Sequence, residues 1–455
     1  MDSTHSGSIE ALKALIEVRG LKQIKVGLFD IDGAMVGKYM ARDKFLAALD
    51  GGFGFCDVVF GWDLADKLYD NTRLTGWGKG YGDADIRLLP ASWREMPLED
   101  NMILVQGEVS GRLECLCPRG VLRRLLQRVA ALGFSVKAGF EYEFLVADED
   151  HAALQAKRYR DPRPLGSGAA GYSVLRNSVN TEFYRGLLTL CDEMNMPIEG
   201  LHEETGPGAL EAALCCSEAL AAADNAALFK TFAKVMAQKQ GRMVSFMAKW
   251  NENHAGQGGH IHISLLHKDG SNAFFDPALP HGISQLQRHF IGGLQRHMRD
   301  ITATAAPTIN SFRRLVPGYW APTQALWGVD NRTVALRAIP GSAKSQRVEY
   351  RLPGADANPY LALAGALAAG FAGIAAQTEP EAPISANGYQ FEAPAHLQLP
   401  HTLRDAAQAL RASAVARDWL GDDFVEHYAA TREWEEREFQ RYVTDWELQR
   451  YFEAI

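Results

Sequence analysis

The chain has 455 residues, of which 47% are hydrophobic and 22% are charged, and a formal net charge of −8. This length allows a large core and two or three domains, and the composition is that of an ordinary globular protein. The negative net charge argues against nucleic acid or an anionic membrane as a partner, so a local cluster of arginines indicates a small ligand.

The sequence also predicts where the protein is found. The first ten residues, MDSTHSGSIE, lack the basic segment and the apolar run of a signal peptide. The longest apolar stretch, residues 361–376, is rich in Ala and Gly and is interpreted as too short to span a bilayer. The six cysteines include no pair with zinc-site spacing, and so few thiols suit a reducing compartment. We therefore expect a cytoplasmic protein that does not cross a membrane.

Residues 1–117 predict a small mixed α/β domain. Its expected elements are a helix over residues 9–18 and strands over residues 24–32, 35–40 and 102–108. The pair Asp32-Gly33, between the first two strands, is a favoured hairpin turn. Residues 51–82 are rich in Gly, Trp and Tyr, which indicates a long functional loop.

Residues 118–455 predict a second domain in which helices and strands alternate. Pro118 and Gly133 mark the first turn and the end of its first helix. The expected helices cover residues 119–132, 180–194, 218–239, 283–298 and 359–376, and the expected strands cover residues 135–146, 211–214, 243–249 and 260–266. Residues 151–170 are polar and contain Gly and Pro, so we expect a mobile segment there.

Residues 310–353 carry an excess of arginine. Only two acids, Asp330 and Glu349, occur in this stretch. The arginines are Arg313, Arg314, Arg332, Arg337, Arg347 and Arg351. Guanidinium groups grip carboxylate or phosphate with two parallel hydrogen bonds. A solvated basic face is the ordinary explanation of a charge run, but apolar residues such as Val334 and Val348 are interleaved here. The stretch therefore predicts a binding site for a multiply anionic ligand.

The sequence GFEYEF at residues 139–144 carries two closely spaced carboxylates. On a strand, Glu141 and Glu143 share one face, and Phe140, Tyr142 and Phe144 share the other. Two like charges at neighbouring positions repel each other unless a cation lies between them. A half-exposed edge strand with two solvated glutamates is the plain alternative. The flanking aromatic residues favour a strand that is covered on both faces, and hence a metal site.

Two further motifs add candidate ligands. GGHIHIS at residues 258–264 repeats the alternation with His260, His262 and Ser264, behind glycines that let a ligand approach the backbone. HEETGPGALE at residues 202–211 brings Glu204 and Glu211 around a tight turn, although alone it would be an acidic surface turn. Several carboxylates with one imidazole suit Mg²⁺ or Mn²⁺ better than zinc.

Together these motifs resemble the glutamine synthetase superfamily. The resemblance follows the chain in order through VGLFDIDGAMVGKYM, GFEYEF, ETGPGALE, GQGGHIHISL, RRLVPGYWAP, NRTVALR and RVEYRLPGADANPYLAL. It implies an α+β fold, with an N-terminal β-grasp domain over residues 1–117 and a C-terminal catalytic domain over residues 118–455. The catalytic domain is expected to hold an antiparallel sheet or half-barrel with helices. The family also implies a homo-oligomer, a hexameric ring or a dodecamer, with active sites between neighbouring subunits.

The resemblance also implies roles for individual residues. One metal is implied at Glu143, Glu204 and Glu211, and another at Glu141, His260 and Glu349. Binding of the substrate L-glutamate is implied for Gly256, Arg314 and Arg351. The implied phosphate-facing cations are Arg332, Arg337, Lys344 and Arg347, with His262 and Ser264 on the ATP side. In the implied reaction ATP phosphorylates the γ-carboxylate of glutamate, an amine attacks the acyl phosphate, and phosphate leaves.

The chain departs from the glutamine-forming members of the family at the ammonium site. Those members carry Glu in the flap motif G-[YF]-E-A-P, where this chain has Trp320. An indole cannot accept a proton, but it packs against alkyl or aryl groups and faces cations. The N-terminal D-G-S-S motif is also missing, and Asp63 is only a loose candidate for its catalytic role. We therefore predict ligation of an organic amine, in amine, polyamine or nitrogen metabolism.

Two other interpretations stay open. The first is a true glutamine synthetase that uses ammonia and takes its proton acceptor from elsewhere, for example Asp63. The second is a catalytically silent family member that serves as a structural assembly, although six retained metal positions argue against it. The sequence contains no adenylylation site of the usual kind, and Tyr389 is the nearest tyrosine.

Overall fold

The first unit of the protein is a sheet with two helices on it. The structure, a computed structural model, describes residues 8–166, 168 and 171–455. The helices are α1 (Ile9–Val18) and α2 (Arg42–Gly51). The strands are β1 (Gln23–Phe29), β2 (Met35–Ala41), β3 (Phe53–Cys56), β4 (Asp83–Leu88), β5 (Arg94–Glu95) and β6 (Ile103–Ser110). The described strands follow the order β2-β1-β6-β4-β3, and β5 pairs with β6.

The predicted hairpin of β1 and β2 is confirmed. The two strands pair antiparallel, and the backbone N–H of Asp30 donates to the carbonyl oxygen of Ala34 at 3.0 Å to close the turn. β1 also pairs in parallel with β6. Helix α1 buries Leu12 and Ile16 in a small core against this sheet. The predicted bounds of α1 agree with the structure because its apolar residues recur at helical spacing.

Residues 51–82 are not one continuous loop, so that prediction is wrong for the first part of the segment. Strand β3 lies inside it and pairs antiparallel with β4. Short 3-10 turns follow at Asp57–Phe60 and Trp77–Lys79. Phe53 and Phe55 alternate between glycines, and a period of two suits a strand. The loop prediction is based on the high glycine content of the segment and does not take this alternation into account.

The second unit contains a larger sheet. Its strands are β7 (Phe134–Ala147), β8 (Ile198–Glu203), β9 (Ala209–Leu214), β10 (Ser217–Glu218), β11 (Met243–Ser245), β12 (Gly259–His267), β13 (Trp327–Val329), β14 (Leu336–Ile339) and β15 (Arg347–Tyr350). The described strands follow the order β13-β14-β15-β12-β7-β9-β8, and β10 and β11 also pair with β7. β13 and β14 are parallel, whereas β12 runs antiparallel to both of its neighbours. The predicted antiparallel sheet is therefore present.

Helices pack on the inner face of this sheet and also form the C-terminal part of the chain. They are α3 (Pro118–Ala131), α4 (His151–Ala156), α5 (Val174–Val179), α6 (Thr181–Glu193), α7 (Ala219–Lys239), α8 (Gln285–Ala305), α9 (Ser311–Arg314), α10 (Pro359–Ala376), α11 (Leu403–Ala412), α12 (Ala414–Leu420), α13 (Asp422–Phe439) and α14 (Asp445–Tyr451). Five of them confirm the predicted helices, with α8 extending further than expected. The largest core lies between these helices and the sheet.

Helix α10 is the most apolar helix of the second unit. By length and composition it could cross a membrane, so the interpretation of residues 361–376 as too short is corrected. However, 78% of the helix is buried inside the protein. It packs against α3, α7, α8 and α12. Its Ala and Gly residues allow this close approach of neighbouring helices, so α10 is a core helix here.

Residues 151–156 form α4 within the segment 151–170, whose mobility stays a prediction, and residues 167, 169 and 170 of it lie outside the described residues. The strand predicted over residues 243–249 ends at Ser245. The Ser245 hydroxyl accepts the N–H of Met247, and the Asn310 side chain accepts that of Lys249 at 2.8 Å. Side chains thus take the N–H groups that a longer strand would use.

Side chains from the two units meet at several points. The Asn358 amide, at the start of α10, donates to the carbonyl oxygens of Asp30 and Ile31 at 3.3 and 3.2 Å. Arg432 of α13 donates to the Asp32 carboxylate at 2.6 Å. These contacts hold the turn of the first hairpin against the helices of the second unit.

Candidate active site

The candidate site is a row of charged side chains across the second sheet. The strand registers place these pairs opposite each other: Arg337 and Glu349, His262 and Glu349, His260 and Glu141, and Glu143 and Glu211. On the other face of β7, Phe140, Tyr142 and Phe144 are buried in the core. Because side chains alternate along a strand, burying these rings turns Glu141 and Glu143 towards the outside of the sheet.

A cavity of about 850 Å³ opens over this row. Twelve of the residues singled out in the sequence line it: Glu141, Glu143, Glu204, Glu211, Gly256, His260, Arg314, Trp320, Arg332, Arg337, Glu349 and Arg351. Segments separated by up to about two hundred residues therefore contribute to one cavity. Their individual roles stay predictions.

The carboxylates of the row perturb one another. Burial, and then the charges of four neighbouring glutamates, raise the pKa of Glu211 to about 9. Burial also opposes ionisation of Glu349, but Arg351 and other neighbours lower its pKa to about 2. Burial likewise disfavours the charged form of Glu141, yet the neighbouring imidazoles of His260 and His262 hold its pKa well below the usual range. Glu211 is thus surrounded mainly by other carboxylates, whereas Glu349 has a cationic neighbour in Arg351.

The donor atoms of the row fit divalent metal ions. Ligand atoms lie within 4.8 Å of one another in two groups, one of Glu141, His262 and Glu349 and one of His202, Glu204 and Glu211. The Nδ1 atom of His260 also faces the first group, 3.7 Å from Glu349 and 3.9 Å from Glu141. Two oxygen ligands on opposite sides of Mg²⁺, each at about 2.1 Å, are about 4.2 Å apart. The donor set and the excess negative charge therefore suit Mg²⁺ or Mn²⁺.

Arg314 is a buried guanidinium at the floor of the cavity. It is 3% exposed, and it donates to the backbone oxygens of Leu352 at 2.9 Å and Arg351 at 3.3 Å. Burial lowers its pKa, although nearby acids oppose this effect. Gly256 makes room for it, since a Cβ there would lie 2.6 Å from the Arg314 side chain. A buried guanidinium bonded to neutral oxygens retains its charge for an anionic ligand.

The other arginines of the cavity differ in how far they are neutralised. Arg337 donates to Glu349 at 2.9 Å and to Asp330 at 3.0 Å. Arg351 also donates to Glu349. Arg332 has an exposed side chain at the cavity wall. Arg337 and Arg351 therefore position Glu349, and Arg332 is the more accessible cation.

Trp320 lies on a flap at the cavity mouth. Its side chain is 55% exposed, and its backbone has φ of 61°, a left-handed conformation that costs energy for a bulky residue. Gly318, two residues earlier, has φ of 85°. The Trp320 carbonyl oxygen accepts from Arg351 at 3.3 Å, and that of Ala321 accepts from the Tyr389 hydroxyl at 3.1 Å. The surrounding side chains thus hold the flap in a strained conformation.

The sequence profile of the glutamine synthetase catalytic domain matches residues 115–451. The chain belongs to the glutamine synthetase family. Over 438 residues it is 40% identical to type-1 glutamine synthetase 2 of Dictyostelium discoideum, covering 95% of this chain and 84% of that protein. It is 34% identical to glutamate–isopropylamine ligase of a Pseudomonas species, over 100% of both chains. It is 36% identical to gamma-glutamylethanolamide synthetase GlnA4 of Streptomyces coelicolor, over 100% of this chain and 97% of that one.

A solved structure shows the same fold. The structure of GmaS without ligand matches with a TM-score of 0.84 and 25% identity, covering 97% of this chain and 99% of that chain. The predicted glutamine synthetase-like fold is confirmed, and as a family member the chain is a ligase.

Four residues predicted on the nucleotide side of this glutamine synthetase family site lie outside the cavity wall. His262 lies 2.9 Å from Glu141 through Nε2 and accepts from Arg347 at 3.0 Å through Nδ1. The Ser264 hydroxyl donates to a backbone oxygen at 3.0 Å. Lys344 is exposed in the turn before β15. Along β12, His260, His262 and Ser264 share one face, so these residues extend the row towards that turn.

Two other polar residues lie away from the cavity. Both oxygens of the Asp63 carboxylate are used in its own neighbourhood, where one accepts two backbone N–H groups and the other accepts from Trp434 at 3.0 Å. Asp63 is not among the residues that line the cavity with Trp320, and its catalytic role stays a prediction. Arg313 lines a separate depression with His401, so its inclusion in the anionic site is corrected. Helix α9 turns adjacent arginines in different directions.

The cavity residues that sequence reasoning missed include His202 and Tyr172. His202 lies 3.8 Å from Glu211, and its ring packs on Tyr172 with centroids 4.3 Å apart. His202 could have been found from its spacing, since His202 and Glu204 stand two residues apart, as His260 and His262 do. Residues at this spacing share one face of a strand. No local pattern pointed to Tyr172, which reaches the site through loop packing.

Proposed function

We propose that this protein ligates an organic amine to the γ-carboxylate of L-glutamate at the expense of ATP, through a γ-glutamyl phosphate. The observation that carries the proposal is Trp320 on the wall of the cavity, where glutamine-forming relatives are expected to carry a glutamate. An indole there removes a proton acceptor and adds apolar surface.

The apolar lining favours a substituted amine over ammonia. Tyr319, Leu201 and Ala209 line the cavity together with Trp320. Burying an alkyl group contributes about 0.8 kcal/mol per CH₂, a gain that ammonia cannot make. One relative is named as a ligase of glutamate and isopropylamine and another as a gamma-glutamylethanolamide synthetase, which supports the same substrate class.

One group of cavity residues is proposed to bind glutamate, and another is proposed to bind the transferred phosphoryl group. We propose that Arg314, Arg351 and the glycine loop at Gly256, which all line the cavity, bind the carboxylates of glutamate. Arg332 and Arg337 supply positive charge where the transferred phosphoryl group would lie, which is the main requirement of phosphoryl transfer. The flap over the mouth restricts the entry of water, which would otherwise hydrolyse the acyl phosphate.

Metal ions complete the electrostatics of the site. We propose that Glu143, Glu204 and Glu211 hold one ion and that Glu141, His260 and Glu349 hold another. When bound, Mg²⁺ or Mn²⁺ would neutralise charge on the phosphates of ATP. The raised pKa of Glu211 supports this assignment, because a nearby cation would let the carboxylate ionise at neutral pH.

Ligation of ammonia is the second candidate, and the 40% identity to a glutamine synthetase favours it. It would require a proton acceptor other than Trp320. A silent structural role is less favoured, since the acidic row has no structural need for so many carboxylates. The family membership also supports domains over residues 1–117 and 118–455, a homo-oligomeric ring of six or twelve subunits, and a cytoplasmic location.

A direct comparison of nucleophiles tests the proposal. The rate of γ-glutamyl product formation is measured with ammonia, isopropylamine, ethanolamine, benzylamine and putrescine at saturating ATP and glutamate. We expect an organic amine to have the highest kcat/KM. Ammonia as the best nucleophile would establish a glutamine synthetase instead, and no ATP turnover with any nucleophile would favour the silent role.

A further inference from the structure

Tyr389 touches the flap from outside the cavity. It lies 68 residues after Ala321, and its hydroxyl donates to the Ala321 carbonyl oxygen at 3.1 Å. The preceding carbonyl oxygen of the flap, that of Trp320, accepts from Arg351 at 3.3 Å. Two consecutive carbonyl oxygens of the flap are therefore held by side chains from different parts of the fold.

Tyr389 itself stands on a rigid support. The backbone N–H of Gly388 donates to the Thr333 hydroxyl at 2.8 Å, and that of Tyr389 donates to the Asn387 side chain at 3.1 Å. Gly388 packs so closely that a Cβ there would lie 2.7 Å from the Thr333 carbonyl oxygen. The hydroxyl of Tyr389 is thus a fixed point relative to the segment that carries Arg332.

The flap needs such a fixed point because its own conformation is strained. Trp320 has φ of 61°, whereas the φ of 85° at Gly318 is one that glycine adopts without strain. A left-handed conformation of a bulky residue persists only when surrounding contacts hold it. Behind the flap, a second cavity of about 470 Å³ is lined by Tyr389, Leu315 and Pro317. The flap therefore has room to move if the hydroxyl contact is lost.

We propose that Tyr389 is a positioning residue that sets amine specificity by holding the flap, and with it Trp320, over the active-site cavity. It touches no reacting atom. Loss of its hydroxyl frees the Ala321 carbonyl oxygen, relaxes the backbone at Trp320 and loosens the apolar wall. Arg314, which we propose to bind glutamate, donates to the backbone oxygens of Leu352 and Arg351 and not to the flap. The inference rests on the proposed function, in which Trp320 faces the amine.

The test is Tyr389→Phe, which removes only the hydroxyl. Loss of a neutral hydrogen bond typically changes an equilibrium by about two- to tenfold. We expect the KM for the preferred amine to rise by that factor, while the KM values for ATP and glutamate change less than twofold. Hydrogen exchange of the amides of residues 318–322 should become faster, with other segments unchanged.

Tyr428→Phe is the matched control. The Tyr428 hydroxyl also donates to a backbone oxygen, that of Ala303 at 3.0 Å, but deep in the helical core. This variant should lower stability without changing the ratio of amine to ammonia kcat/KM. An unchanged amine KM in Tyr389→Phe, or equal changes in all three KM values, would overturn the inference.

The two proposals fail separately. If ammonia proves to be the preferred nucleophile, the proposed function fails, yet the effect of Tyr389→Phe on the ammonia KM and on flap exchange can still be measured. If an organic amine is preferred but Tyr389→Phe behaves as wild type, only the positioning role of Tyr389 is lost.

Discussion

Arg351 donates a hydrogen bond to the backbone oxygen of Trp320 at 3.3 Å. The same guanidinium donates to Glu349, a member of the acidic row. One side chain therefore links the proposed metal ligands to the wall of the proposed amine pocket. We therefore expect a substitution at Glu349 to affect the flap at Trp320, and a substitution at Trp320 to affect Glu349. Each variant needs a control that separates the two effects.

Trp320→Glu should move the nucleophile preference towards ammonia. The substitution restores a carboxylate that can hold ammonium and removes the apolar wall, which contributes about 0.8 kcal/mol for each buried CH₂ of the amine. For a three-carbon amine, we expect the ratio of amine to ammonia kcat/KM to fall by roughly tenfold or more. Trp320→Phe keeps an apolar ring and should retain the wild-type preference. An unchanged ratio in Trp320→Glu would mean that residue 320 does not line the amine pocket.

Arg314→Lys should weaken glutamate binding. A lysine keeps the charge but loses the two-pronged contact, and truncating a buried hydrogen-bonded charge pair typically costs about 2–5 kcal/mol. We expect the glutamate KM to rise by well over tenfold. Arg313→Lys is the control, because Arg313 is the adjacent arginine but lies outside the cavity. A glutamate KM within about twofold of wild type in Arg314→Lys would contradict the assignment.

Glu349→Gln should abolish most ATP turnover and weaken metal binding. The substitution keeps the size of the side chain but removes a charge that Arg337 and Arg351 contact. Loss of a charged partner in a buried site costs about 2–5 kcal/mol, so activity should fall by roughly thirtyfold or more. Mn²⁺ titration by calorimetry supplies a readout besides activity. Glu379→Gln, at an exposed ion pair with Arg288, should change neither quantity. Normal Mn²⁺ affinity in Glu349→Gln would exclude Glu349 as a ligand.

His427 should make the fold sensitive to mild acid. Its Nε2 lies 2.9 Å from the carbonyl oxygen of Phe60, and its Nδ1 is buried with no hydrogen-bond partner among the described residues. Burial lowers its pKa to about 4. Because the unfolded chain takes up this proton near pH 6.5, stability falls as the pH drops from about 6.5 to 4. The loss from this group is about 3 kcal/mol.

Urea denaturation at several pH values measures the effect of His427. In His427→Gln the free energy of unfolding should change less between pH 6.5 and 4 than in the wild type. His396→Gln, at an exposed histidine, serves as the control and should leave the slope unchanged. Equal pH slopes for wild type and His427→Gln would contradict a buried neutral imidazole.

The sequence by itself determined which face of a strand its charged residues occupy, and it predicted which of them carry chemistry. The alternation in GFEYEF placed Glu141 and Glu143 opposite the buried aromatic residues, as the structure has them. The bounds of helix α10 followed from Pro359 and the end of an apolar run. Both signals are local, because side-chain direction repeats every two residues in a strand and every 3.6 in a helix. Motif order along the chain also sufficed to indicate the family.

The tertiary structure alone decided which of these residues meet. It separated Arg313 from Arg314, and it added His202 and Tyr172 to the cavity. The contact between Tyr389 and Ala321 joins residues 68 positions apart. Such contacts depend on strand register and loop packing, to which distant segments contribute jointly. Local periodicity carries no information about them. The left-handed backbone of Trp320, which distant side chains contact through the carbonyl oxygens of residues 320 and 321, is likewise absent from any local pattern.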